Sequence, residues 1–159
     1  MLFVIILCLG VLFQSSFGQV NQAEHDKLIK VSHFLEANPL DKDAKNMRAW
    51  AFTWAADTKD VTVIICGLAG PFMDKKLKFG SEMLPQYAIA MTAFKLEHPD
   101  QAADENAAQL AGVESAIKVY EIMVKEKPKN KNDVVEGLIA KRNKGELAAY
   151  VAAADCGKK

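Results

Sequence analysis

Three times the chain runs from apolar residues through a glutamate to a proline and on into Asp, Lys or Asn: HFLEANPLDKD from His33, FKLEHPDQAAD from Phe94 and MVKEKPKNKND from Met123. Proline keeps the residue before it out of α geometry, and an asparagine such as Asn38 readily takes the left-handed conformation that ends helices. Each stretch therefore reads as a helix end. The residues in front of them carry apolar side chains at helical spacing, so the chain is constrained to amphipathic rods that hide their apolar sides against one another. The expected fold is all-α, with six or seven helices and no sheet.

The rods can be placed individually. From Gln22 to Ala37 the apolar stripe is Leu28, Val31, Phe34 and Leu35, and Asn38–Pro39 stops it. A second helix, with Asp41 as its cap, carries Ala44, Met47, Trp50, Ala51 and Trp54. VTVIIC, Val61 to Cys66, has the composition of a buried strand. No second strand candidate exists to pair with it, and an unpaired buried strand would strand backbone groups at about 1–3 kcal/mol each, so it is read as a short buried helix. Gly67, Gly70 and Pro71 break the chain there. A further helix from Leu84, with Pro85 in its permissive first turn, presents Tyr87, Ala88, Met91 and Phe94 and ends at His98–Pro99. The clearest stripe follows: Leu110, Val113, Ile117, Tyr120 and Val124. Asp133 and Glu136 have the spacing of a capping box for a helix that buries Val135, Leu138 and Ile139 and closes with Lys141, Arg142, Lys144 and Gly145. Leu147, Tyr150, Val151 and Ala154 form the last one.

Residues 1–18, MLFVIILCLGVLFQSSFG, hold none of the twenty basic and twenty acidic side chains. Leu2 to Phe13 make an apolar core, and the small residues Ser16 and Gly18 stand at minus three and minus one from a cut before Gln19, the layout of a secretory signal peptide. The alternative, a retained anchor, needs about twenty apolar residues to span hydrocarbon. The expected organisation is a signal peptide over 1–18 and one domain over 19–159, placed outside the cytoplasm, in the periplasm or medium. Cys8 leaves with the leader. Cys66 and Cys156 remain, and in an oxidising compartment they are expected to form a disulfide; separate thiols or a bond between chains are the alternatives.

The segment AIKVYEIMVKEKPKN, Ala116 to Asn130, resembles the second helix of a tetratricopeptide repeat, with Ala116, Tyr120 and Pro128 in the small, aromatic and terminating positions. YAIAMTAF, Tyr87 to Phe94, resembles the first helix, with Ala90 where the family favours glycine; Met123 departs from the family's usual alanine. Lys95 to Ala111 is then an insertion, and NPLDKDAKNMRAW around Pro39 is similar to a junction between repeats. The prolines do not keep the family period of about 34 residues, so the repeat is degenerate. The resemblance implies a stacked array of helix hairpins that presents a groove to a protein or peptide partner.

Basic and acidic residues balance at zero net charge and are interspersed, which gives no footprint for nucleic acid or for an anionic membrane once the leader is gone. His25, His33 and His98 lack the glutamate and histidine spacings of di-iron or zinc motifs, and no CxxC or glycine-rich phosphate loop is present. No catalytic, cofactor-binding or metal-binding residue is assigned. Trp50, Trp54, Tyr87 and Tyr120 fit core stripes, and they are also the aromatic candidates for a binding face. Two functions compete: a non-catalytic protein or peptide interaction module, which requires an exposed apolar or aromatic patch, and a small extracytoplasmic enzyme or small-molecule binder with a pocket between helices.

Overall fold

The computed structural model describes residues 16–157, with side chains from Asn21 onward. The expected leader, Cys8 included, lies outside the described residues except for the backbone of Ser16, Phe17 and Gly18. Six α-helices follow in order: α1 (Ser16–Ala37), α2 (Ala44–Asp57), α3 (Gly80–Glu97), α4 (Glu105–Glu126), α5 (Asp133–Asn143) and α6 (Leu147–Ala153). A 3-10 segment, Gly67–Met73, lies between α2 and α3, and two single 3-10 turns begin at Pro99 and Pro128. The described residues contain no strand, so the all-α expectation holds. Their helix ends at Ala37, Glu97 and Glu126 coincide with the three punctuated stretches.

Around α3 the other helices are arranged, and its sequence explains why. Every residue from Gln86 to Ala93 is buried, as expected of a helix that is apolar nearly all round rather than striped. One side, with Met83, Tyr87 and Met91, joins Val113, Ile117 and Tyr120 of α4, Val135 and Leu138 of α5, Leu147 and Val151 of α6, and Phe72 and Phe79 in the main core. Ile89 faces the other way, into a smaller cluster with Leu28 and Leu35 of α1 and Ala44 and Ala51 of α2.

Pairs running Lys95–Glu105, Tyr87–Gln109 and Phe79–Tyr120 show that α4 returns antiparallel to α3. Lys95–Ala111, an insertion in the repeat reading, is mostly helical, because α3 continues to Glu97 and α4 begins at Glu105. Gly112 marks the closest approach: a Cβ there would sit 2.6 Å from Met91 Cγ and 2.8 Å from both Tyr87 Cδ2 and the Tyr87 carbonyl oxygen. Methionine can move aside, but a helix backbone cannot. Gly112→Ala is therefore expected to destabilise by about 1–3 kcal/mol through overpacking, against the roughly 1 kcal/mol that alanine gains over glycine within a helix. A urea midpoint at or above that of the parent protein would show that the two helices part freely.

Four local expectations are corrected. Val61–Cys66 forms no helix; it is an irregular segment, with Ile64 and Ile65 exposed. Two of its carbonyls accept from side chains: Lys95 Nζ donates to Thr62 O at 2.7 Å and Gln109 Nε2 to Ile64 O at 2.6 Å. Pro85 lies beyond the first turn, because α3 already starts at Gly80 with Phe79 O accepting from Met83 N–H at 2.9 Å; the carbonyl that Pro85 leaves without a helical donor belongs to exposed Ser81, where water can reach it. The cap of α5 is Asn132, whose Oδ1 accepts from the Val134 and Val135 N–H groups. Glu136 does not close a box with Asp133; it accepts from the Tyr120 hydroxyl at 2.9 Å. Asp41 acts one turn ahead of α2, its carboxylate accepting from Asp43 N–H at 2.8 Å.

Candidate functional site

Of the four aromatic candidates, the structure separates two from two. Tyr87 and Tyr120 are fully buried in the main core, so they cannot belong to a binding face. Tyr87 donates to Gln109 Oε1; burial, together with the nearby Glu105 carboxylate, pushes its hydroxyl well above the usual tyrosine range despite that bond. Tyr120 accepts from Asn132 N–H at 2.8 Å, and Asn132 Nδ2 reaches Asp74 at 3.3 Å. Both rings sit on stripes that point to the core, and the stripe was the better guide to their role.

Trp50 and Trp54 are only half-buried, one turn apart on α2, and they line a cleft of about 770 Å³ with Asn21, Glu24, Thr53, Asp57, Lys59 and Asp60. The α1 side chains set the rings. Lys27 Nζ lies 3.9 Å from the Trp50 ring centroid, and Trp54 Nε1 donates to Glu24 Oε2 at 3.0 Å. His25 meets the Trp54 ring edge-on and holds Asp60 at 2.7 Å, which ties α1 to the chain leaving α2. The result is two partly exposed indoles edged by three carboxylates and Lys59, with Lys27 on the Trp50 ring.

A second polar group lies inside. Lys95, 5% exposed, pairs with Glu105, 13% exposed, at 2.6 Å. Gln109 stands beside them, its amide divided between Tyr87 and Ile64 O. Acid–base catalysis needs a group free to meet a substrate, whereas each of these is already engaged by its neighbours and fastens Val61–Cys66 to α3 and α4. The disulfide between Cys66 and Cys156, with Cα atoms 5.7 Å apart, secures the end of the same segment. The expected pairing is formed.

Of the remaining histidines, His33 joins α1 to α3 through Glu97 at 2.7 Å, and His98 packs on Phe94 at the end of α3. Among the described residues no three His, Cys, Asp or Glu side chains gather into a metal-holding group, and no helix is long and apolar enough to cross a membrane. No protein-family model, curated protein or solved structure matches the chain.

Sequence reasoning missed Arg48, Lys95, Gln86 and Gln109, all buried. On a single sequence Arg48 and Lys95 look like ordinary solvated charges of an amphipathic helix. One signal for Lys95 was available: it lies on the continuation of a helix whose preceding residues are apolar on every side.

Proposed function

We propose that this is an exported, non-catalytic interaction module that binds a peptide segment of a partner protein across the α1–α2 cleft. The observation that carries the reading is the pair Trp50 and Trp54, held half-exposed over the cleft. Tryptophan concentrates binding energy at protein interfaces because a large rigid surface is desolvated at little conformational cost. Glu24, Asp57 and Asp60 on the rim against Lys59 favour a segment with a basic residue beside an apolar one. Export through the leader and a stacked-hairpin array like the tetratricopeptide repeats belong to the same reading; the antiparallel α3–α4 pair supports the second.

The test is selection from a random peptide library on the disulfide-bonded chain, followed by titration on intrinsic tryptophan fluorescence. Basic–apolar peptides should be enriched, and Trp50→Ala should weaken them by about 2 kcal/mol, the hot-spot scale, with the far-ultraviolet dichroism of the parent. Enrichment of no peptide, or equal binding by the variant, sinks the proposal.

A further inference from the structure

The opposite side of α2 carries a different cleft. Arg48 is 8% exposed and lines a cavity of about 420 Å³ with Leu40, Phe52, Glu82 and Pro85. Its Nη2 donates to Pro39 O at 3.3 Å, while its buried Nε has no partner. No carboxylate among the described residues pairs with it. Two carboxylates line the same cavity without pairing with it: Asp41, which accepts from Asp43 N–H, and Glu82, which accepts from the Ser81 hydroxyl. A buried guanidinium stays charged, and leaving it without a counter-charge is costly. Burial accordingly pushes its pKa down, with Glu82 only partly opposing.

Phe52, 41% exposed, is shared between this cavity and a second one of about 270 Å³. The second is walled mainly by Ala55, Val61, Val63, Ile65 and Ala88. Arg48 and Ala55 are separated along α2 by roughly 10 Å at the rise of an α-helix. A pocket that buries Arg48, with Lys45, Asp41 and Glu82 also in its lining, thus shares Phe52 with an apolar pocket that 51%-exposed Ile65 helps to line. A peptide backbone lying there would bring N–H and C=O groups into a lining that offers few partners; Thr62 O, for one, is already taken by Lys95. An unbranched acyl chain brings none.

We propose that the α2–α3 side of the molecule is a binding site for a long-chain monocarboxylate, its carboxylate on the Arg48 guanidinium and its alkyl chain past Phe52 under Val61–Ile65. A guanidinium and a carboxylate match as two parallel charge-assisted hydrogen bonds. A carboxylate paired with this guanidinium would offer its buried Nε–H the acceptor it lacks.

The probe is laurate labelled with carbon-13 at the carboxyl, titrated below its micellar range onto the disulfide-bonded chain. Saturation should occur at one equivalent, with a shifted carboxyl resonance. Dodecanol, with the same chain and no charge, should bind at least about ten-fold more weakly, since hydrogen bonds to charged groups are worth that much. Arg48→Met should lose the shifted resonance. Because Arg48 is buried and its loss can unfold the chain, Ile65→Asp, at an exposed position, provides the second arm and should weaken laurate by blocking the tail. Equal affinity for laurate and dodecanol, saturation by a short acidic–apolar peptide but not by laurate, self-association through this face in place of laurate binding, or an unaffected Ile65→Asp variant overturns the proposal.

Discussion

Lys95→Met should be among the most damaging single substitutions in this protein, lowering stability by about 3–5 kcal/mol, the range for removing one partner of a buried ion pair. Lys95 Nζ is 2.6 Å from Glu105 Oε2 and 2.7 Å from Thr62 O. Methionine keeps most of the volume and removes the cation, so a carboxylate only 13% exposed and a carbonyl lose their donor together. Against a typical net stability of about 5–15 kcal/mol, the loss is a large fraction of the whole. Lys95→Met with Glu105→Leu should recover most of it, because an apolar pair can replace a buried salt bridge at little net cost. Urea unfolding of the parent, single and double variants decides. A single variant within about 1 kcal/mol of the parent would mean that water reaches Glu105 and solvates it.

Lys95, with Gln109, also marks where the sequence was legible and where it was not. α4 announces itself because Val113, Ile117 and Tyr120 repeat at helical spacing and all three are buried. The helix ends were equally plain, since proline acts through its own ring and neighbours. Both signals are local. Val61–Cys66 was misread because its apolar run suggested burial, and burial suggested that the segment must satisfy its own backbone. In the fold, Ile64 and Ile65 are exposed, and the donors come from Lys95 and Gln109, far along the chain. No spacing within a single sequence encodes that meeting. The start of α3 was missed because Pro85 was read as a first-turn proline, which put the start at Leu84, while buried Phe79 anchors the helix from outside it.

For the candidate sites the division is similar. Trp50 and Trp54, one turn apart, were visible as a pair, yet their half-exposure depends on α1 bringing Glu24, His25 and Lys27 to them. Arg48, on the same helix, had no distinguishing pattern at all. Its surroundings come from two other segments, which bring the Pro39 carbonyl to its Nη2 and Pro85 to the same cavity. A helix stripe predicts the face that packs; it does not tell which polar residues at the edge of that face become enclosed.

The second large effect concerns the bond between Cys66 and Cys156, whose sequence separation is 90. Replacing both by alanine should lower stability by up to about 4–5 kcal/mol, the chain-entropy value for a loop of that size. The loss should not be spread evenly. α6, Leu147–Ala153, is far too short to be helical alone; it is held by Leu147 and Val151 in the main core and, just beyond its end, by Cys156. Val61–Ile65 has no helix or ladder of its own and depends on Lys95, Gln109 and Cys66. Amide hydrogen exchange in the double variant should therefore accelerate first in α6 and in Val61–Ile65, while the buried Gln86–Ala93 stretch of α3 keeps its protection until global unfolding. If instead stability falls with protection lost uniformly, the bond acts only on the unfolded chain. If neither changes, the packing of Leu147 and Val151 alone holds the C-terminal end, and the segment over the apolar cavity is fixed by Lys95 and Gln109 without covalent help.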